Sequence, residues 1–433
     1  MLSTTILETC WVTIETFTDL ESTISLSSTC RSLHSLLIDA STHKVKVTHF
    51  QVCNLPQPDN NDRSIIRIPR DYTTVHIRIP HYTIQALSRI HFPSLTKLHI
   101  DFPLARRRHG ATGDARSDYI EDVHSAFPIL ASQLGASSCN KLTSLYLNCN
   151  RLMQYETGGH LESTYEIFGQ NLSRCCTDLK ELSIVNTGMV RGQNTPMYSV
   201  GLTIALVSTL KRRKDTIRNF EYEVCGRPLL HRQYEMGGGM NIFTKTNCDL
   251  FGAVLQSTKL ERLCVKCSFS HFCDFVRVAA MEEKATSIHD LTIVCRDIQA
   301  YERNSDNSFI PQVGLMLDYF SECRCLRRLH LQIPNPYWRE SQTLEALTNL
   351  LTNQPDLQVV ELRFSGFDDR EGRLLKFMVD MLARLAFDGC NMFRLFGLVN
   401  VDETQLLDLT RCMEALGFEV TTMYCVQFYV EAQ

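Results

Sequence analysis

The 433-residue sequence has no long apolar run. No window approaches the roughly 18 uncharged apolar residues that cross a bilayer. Residues 1–7 carry no basic segment leading into a long apolar one, so no secretory leader is expected. Neither sign of charge is in large excess. Lys and Arg number 44 against 48 Asp and Glu, a formal net charge of -4, which gives no general attraction to nucleic acid or to an anionic membrane. Tryptophan is scarce, with two residues in the chain. Gly-x-Ser-x-Gly, His-Glu-x-x-His, Walker-type and dinucleotide-binding patterns are all missing. These absences point away from a membrane or secreted protein and give no ground for an enzyme or a resident cofactor.

Cysteine, by contrast, is plentiful, with 18 residues. In a large chain without a secretory signal these read as reduced thiols, which places the protein in the cytoplasm or nucleus. Cys264, Cys273 and Cys295 lie in or beside apolar segments, where a thiol acts as a small hydrophobe. Cys264-x-x-Cys267 and Cys323-x-Cys325 invite a metal reading. Zinc needs four converging ligands. Cys264 and Cys267 are an odd number of residues apart on an expected strand, so they face opposite sides. No metal site is expected.

What the chain does have is a recurring apolar triad. Residues 142–150 read Leu-Thr-Ser-Leu-Tyr-Leu-Asn-Cys-Asn, the leucine-rich pattern L-x-x-L-x-L-x-x-N. It describes a short strand entered through a bend, with Leu145 and Leu147 on one face and Leu142 packed below them. One such unit cannot bury its own apolar face and needs stacked neighbours. Matching triads are Leu95/Leu98/Ile100, Leu179/Leu182/Ile184, Ile217/Phe220/Tyr222, Leu260/Leu263/Val265, Ile288/Leu291/Ile293, Leu326/Leu329/Leu331 and Leu357/Val360/Leu362. Phe393/Phe396/Leu398 reads as a ninth, weaker copy, and Val75/Ile77/Ile79 as a strand opening the array. Helical periodicity fills the intervals near 122–135, 164–176, 199–214, 242–257, 271–284, 311–322, 340–353, 371–387 and 403–416. From Leu142 to Leu179 is 37 residues, longer than the about 20–29 of ordinary leucine-rich repeats. The extra length predicts full helices and an irregular α/β horseshoe with loops at 186–198, 225–241 and 333–340.

Three basic or glycine-rich stretches have simpler readings. Residues 103–118 form a basic insertion that reads as a surface loop, with nucleic-acid contact or nuclear targeting through Arg106, Arg107 and Arg108 the lesser alternative. Gly237, Gly238 and Gly239 lack the flanking elements of a phosphate cradle and read as a flexible loop. Lys211, Arg212, Arg213 and Lys214 end a helical pattern, where cations complement the helix dipole.

The positions between the inward-pointing residues of each triad predict a partner surface. Glu181, Glu221 and Glu223 read as an acidic stretch; Arg262, Lys266, Arg328 and Arg363 read as a basic one further along. Tyr146 and His330 belong to the same set of exposed flanking positions. Arg is a favoured interface anchor that clasps carboxylate or phosphate. Tyr337 and Trp338, beside Pro336 in an expected loop, read as an exposed aromatic contact.

Residues 1–40 differ from the rest. Leu2, Ile6, Leu7, Trp11, Ile14 and Phe17 recur at helical spacing, and a second apolar set runs from Leu20 through Leu37. By pattern alone this is a helical module or cap. Leu-Ser-Thr-Thr-Ile-Leu at 2–7 and Leu-Ser-Ser-Thr-Cys-Arg-Ser-Leu-His-Ser-Leu-Leu at 26–37 resemble the two ends of an F-box, especially fungal ones. The family's Leu-Pro pair stands here as Leu2-Ser3. Joined to leucine-rich repeats, the chain resembles a fungal F-box/leucine-rich-repeat protein. That resemblance implies a substrate-recognition subunit of a cullin-RING (SCF-type) ubiquitin ligase. It also implies adaptor contacts through Leu2, Ile6, Leu7, Leu20, Leu26, Cys30, Arg31 and Leu33, with a target protein held by the repeats. The expected divisions are 1–40 for the module, 41–72 for a linker and cap, and 73–433 for the solenoid. A leucine-rich-repeat scaffold with a decayed F-box and no ligase role is the alternative.

Overall fold

The computed structural model describes residues 49–52, 66–67, 74–78, 90–91, 96–101, 142–148, 169–174, 177–186, 200–224, 242–282, 287–296, 312–368, 392–399, 420–424 and 428–432, with isolated helical positions between 374 and 381 and between 407 and 415. The 1–40 module, the 103–118 insertion and the loops at 187–198 and 225–241 lie outside the described residues. The chain divides into two compact units, Met1–Leu179 and Lys180–Gln433.

In the first unit, β1 (His49–Val52), β3 (Thr74–Arg78), β5 (Lys97–Asp101) and β6 (Ser144–Asn148) pair in parallel in that order. β2 (Ile66–Arg67) and β4 (Ile90–His91) form a separate parallel pair. Leu98, Leu142, Leu145 and Leu147 are buried, as the triad pattern requires.

The second unit is a run of parallel strands with helices between them, a solenoid-like repeat. Its strands are β7 (Glu181–Asn186), β8 (Asn219–Val224), β9 (Arg262–Cys267), β10 (Asp290–Cys295), β11 (Arg328–Gln332), β12 (Val359–Asp368) and β13 (Met392–Val399), each parallel to the next. An antiparallel pair closes it, β15 (Phe428–Ala432) against β13 and β14 (Val420–Tyr424) against β15. That reversal had no counterpart in the repeat pattern. The intervening helices are α1 (Val200–Arg212), α2 (Ile242–Leu255), α3 (Phe269–Ala279), α4 (Val313–Ser321) and α5 (Ser341–Thr352). They fall on five of the expected helical intervals. Residues 169–174 and the isolated positions at 374–381 and 407–415 are helical within three more.

Strands β8 to β12 each start at one shared acceptor. The Lys180 carbonyl accepts from the N–H groups of Arg218 and Asn219 at 2.8 and 3.0 Å. Arg218 does the same for Glu261 and Arg262, Glu261 for His289 and Asp290, His289 for Arg327 and Arg328, and Arg327 for Gln358 and Val359. In the first unit Thr96 serves Thr143 and Ser144. The bend before each strand thus satisfies two backbone donors at once, and it drops the first triad residue beneath the strand.

The triads form the core. Leu179, Ile217, Leu260, Ile288, Leu326 and Leu357 lie at the bends, and none is more than 2% exposed. Burying each such side chain is worth roughly 1.5–3 kcal/mol. The helices answer with stripes at helical spacing: Phe272, Phe275, Val276 and Ala279 in α3, and Val313, Met316, Leu317 and Phe320 in α4, all buried. Tyr222, Phe251 and Phe275 meet edge to face at 5.3 and 5.2 Å, and Phe275 stacks on Phe320 at 6.3 Å. A Cβ at Gly314 would stand 3.1 Å from Gln342 Cγ, so the glycine lets α4 and α5 approach closely. Gln354, 1% exposed, accepts from the Leu326 N–H at 3.3 Å and donates to the Ser321 carbonyl at 3.1 Å, tying α4, β11 and the end of α5 together.

Two expectations are corrected here. The weak ninth triad is out of frame: β13 pairs Phe393 with Val360 and Leu395 with Leu362. The repeat therefore continues through Phe393 and Leu395. Phe396 pairs with Arg363, one residue out of phase with the triads. The expected loop at 333–340 is instead a 3-10 turn, Asn335–Arg339, with Tyr337 and Trp338 at 0% and 1% exposure. Trp338 packs against Phe364 at 4.7 Å, so it is a core residue and no exposed anchor.

Phe275→Ala is expected to cost about 3–5 kcal/mol, read as a shift in the urea midpoint. Ile204→Ala, at a position 47% exposed, should stay within about 0.5 kcal/mol.

Candidate partner-binding surface

Side chains alternate along each strand, so the triads face the helices and the residues between them form the opposite face. Register fixes who stands beside whom. One row runs Ser183, Glu221, Cys264, Thr292, His330, Glu361; the next runs Val185, Glu223, Lys266, Val294, Gln332, Arg363. Of the sequence-predicted residues, Glu221, Glu223, Lys266, His330 and Arg363 stand in these rows. Arg262 and Arg328 stand at the strand starts. Tyr146 belongs to the first unit, half-buried, its ring 3.9 Å from that of His99.

The expected separation into an acidic and a basic stretch does not hold, because the register interleaves the charges. Ser183 Oγ donates to Glu221 Oε2 at 2.7 Å. Lys266 Nζ lies 4.0 Å from Glu221 and 3.3 Å from Glu223, and Arg296 lies 2.7 Å from Glu223. Arg328 reaches Asp290 at 3.9 Å. Arg363 Nε donates to Glu361 Oε1 at 2.6 Å. Arg296 and Glu361 are the participants the sequence reading missed as site residues. Arg296 sits one residue past β10, and its N–H still joins the ladder through the Cys267 carbonyl at 2.9 Å. Glu223 and Glu361 side chains are each only 14% exposed. Their pairs are screened less than ordinary surface ones.

His330 Nε2 stands 3.4 Å from Glu361 Oε1, within ion-pair reach but without hydrogen-bond alignment. Burial lowers its pKa, opposed by Glu361 and reinforced by Arg363 and Lys266. The imidazole is therefore held neutral in the folded protein near neutral pH.

Three positions on this face are covered. Val185, Cys264 and Val294 are 7%, 3% and 7% exposed. Cys264 sits among Glu221, Lys266 and Arg262, and burial pushes its thiol up to about 11. Cys323 is pushed up to about 12 by burial. Both environments disfavour the thiolate, the form that would attack or bind a metal. Cys264 and Cys267 point to opposite faces, as their spacing implies. No group of three or more His, Cys, Asp and Glu converges on a metal-sized site among the described residues. Nor is any described helix long and apolar enough to cross a membrane.

A second polar cluster lies within the helix layer. Asp274 of α3, 6% exposed, accepts from Asn247 Nδ2 of α2 at 2.9 Å. Burial raises its pKa to about 7 against the opposing effects of Asn247 and Arg277. The Asn247 Oδ1 acceptor is buried without a hydrogen-bond donor. Nearby, Ser268 Oγ faces His271 Nδ1 at 3.3 Å. These groups sit under the helices, away from the charged face.

No protein-family model matches the sequence, and no curated protein is significantly similar to it. Among solved structures, the chain is similar to the crystal structure of the Rad7 and Elc1 complex in yeast. Identity is 14% and the TM-score 0.32, over 80% of this chain and 73% of that one. The architecture described above rests on strand register and burial. The eight adaptor-facing residues named from the sequence, Leu2 through Leu33, lie outside the described residues.

Asp274 carries a pH consequence. Its folded pKa of about 7 lies above the unfolded value near 3.8, so the folded state holds the proton longer. Its contribution to stability is greatest below the unfolded pKa and falls as pH rises toward 7. The whole loss is no more than about 4 kcal/mol. Asp274→Asn should flatten the fall in melting temperature between pH 5 and pH 8; an unchanged slope would assign that fall to other groups.

Proposed function

We infer that this chain is the non-catalytic substrate-recognition subunit of a cullin-RING (SCF-type) ubiquitin ligase. The repeats hold the target protein, and the residues resembling an F-box dock the adaptor. The supporting observation is the pre-organised charged face. Successive rungs bring Glu221, Glu223, Lys266, Arg296, Glu361 and Arg363 into two fixed ion-pair groups, a surface suited to recognising a folded protein by charge complementarity. The ligase link comes from the resemblance of residues 2–7 and 26–37 alone.

A free-standing repeat scaffold with a decayed F-box is the second reading. Ser3 favours it, standing where the family has proline and therefore losing the fixed backbone angle proline supplies.

Adaptor binding separates the two. Full-length protein is expected to bind the purified ligase adaptor at micromolar or tighter affinity, and deletion of residues 1–40 should abolish it. Folded full-length protein that gives no binding signal would leave the scaffold reading in place.

A further inference from the structure

The repeat builds a second surface at the edge where helices end and strands begin. There the bends stack rung on rung through the shared carbonyls of Lys180, Arg218, Glu261, His289 and Arg327. The loops above them stack as well: the Thr258 N–H donates to the Lys214 carbonyl at 3.1 Å, and Thr258 Oγ1 donates to Asp215 at 2.9 Å. Residues 180–181, 211–218, 256–262, 281–282, 287–290, 322–328 and 353–358 form this edge. They hold eleven Lys and Arg against seven Asp and Glu, whereas the chain as a whole is at -4. Several of the acids are already engaged: Glu261 with Arg218 at 2.7 Å, Asp290 with Arg328 at 3.9 Å and Glu282 with Gln256 at 3.3 Å. Lys180, Lys214, Lys259, Arg262, Arg324 and Arg327 are all exposed, and none is within ion-pair distance of a carboxylate among the described residues. A helix dipole accounts for cations in the last turn of α1, but not for Lys180, Lys259, Arg262 and Arg327, which lead into strands.

We propose that this basic edge is the docking surface for an acidic, extended segment of the target protein. The proposal rests on the reading of the repeats as a protein-capturing surface; it does not depend on the ligase link. The cations are spread along the edge, which suits a strand of carboxylates rather than one compact anion. Lys180 and Arg327 stand four strands apart, about 19 Å at the usual interstrand spacing, which about six extended residues would cover. Single-stranded nucleic acid is disfavoured because the edge offers no Phe, Tyr or Trp for base stacking. A membrane is disfavoured because Met281, 75% exposed, is the single large apolar side chain exposed there among the described residues. Arg supplies the paired N–H donors that match a carboxylate.

The test uses the full-length protein and a fluorescein-labelled twelve-residue peptide of alternating Glu and Ser. A duplex DNA of matching length and phosphatidylserine vesicles run in parallel. The peptide should bind more tightly than either, and its affinity should fall steeply with added salt. Lys214→Glu, Lys259→Glu and Arg327→Glu together should weaken peptide binding about tenfold or more. Lys245→Glu, an exposed position in the opposite half of α2, should change it less than about twofold. If the triple variant shows no cooperative thermal transition, the milder Lys214→Ala/Lys259→Ala pair is used, with about a threefold loss expected. Adaptor binding by the same variants should be unchanged, so failure here and failure of the ligase reading register separately. No peptide binding, wild-type affinity in the folded variants, or equal or tighter binding of the duplex or vesicles would each overturn the proposal.

Discussion

The stacking of β8 to β12 in the second unit depends on one carbonyl per rung. It accepts two successive N–H groups of the next rung, turns that chain into the strand direction, and sets the register. The triads can then stack only in frame: Phe220 beside Leu182 and Leu263, Tyr222 beside Ile184 and Val265. Each rung covers the apolar face of its neighbour, because none can bury its own. The helices are a consequence of the same constraint. The chain must return to the same edge before the next bend, and a helix does so while satisfying its own backbone.

That geometry also decides which polar residues act together. Parallel register places charges from rungs about 40 residues apart side by side, so Lys266 bridges Glu221 and Glu223 although 45 and 43 positions separate them. The result is a face of compensated charge with restrained side chains. A different surface, the edge of bends, pairs Arg218 with Glu261 and Arg328 with Asp290 but holds Lys180, Lys214, Lys259, Arg262, Arg324 and Arg327 beyond ion-pair distance of any carboxylate among the described residues. The two surfaces come from one repeat, yet their electrostatics differ: parallel register sets Glu223 beside Lys266 on the strand face, whereas Lys and Arg outnumber Asp and Glu eleven to seven along the bends.

Failures of the sequence reading share a cause. Trp338 reads as exposed in the sequence because its segment carries Pro336 and polar neighbours. The 3-10 turn folds it back onto Phe364, a contact set by β12 and invisible in local pattern. Phe396 fitted the triad spacing as well as Leu395 did; only pairing with Val360 and Leu362 fixes the frame. The polar pair Asp274 and Asn247 is buried between two helices that are each amphipathic in isolation. Burial on a second flank comes from packing, and α2 and α4 both lie against α3.

The sequence by itself determined the repeat. An apolar triad recurring at strand period, with helical period between, has no other way to bury its apolar face than by stacking. It also determined that the triads from Leu142 to Leu362 enter the core, since period places each on one side of its strand. Tertiary structure alone decided how charges pair, where the repeat ends in an antiparallel hairpin, and which aromatic residues are hidden. Those outcomes depend on distances between residues far apart in the chain. A one-dimensional pattern contains the order of such residues but not their separation in space.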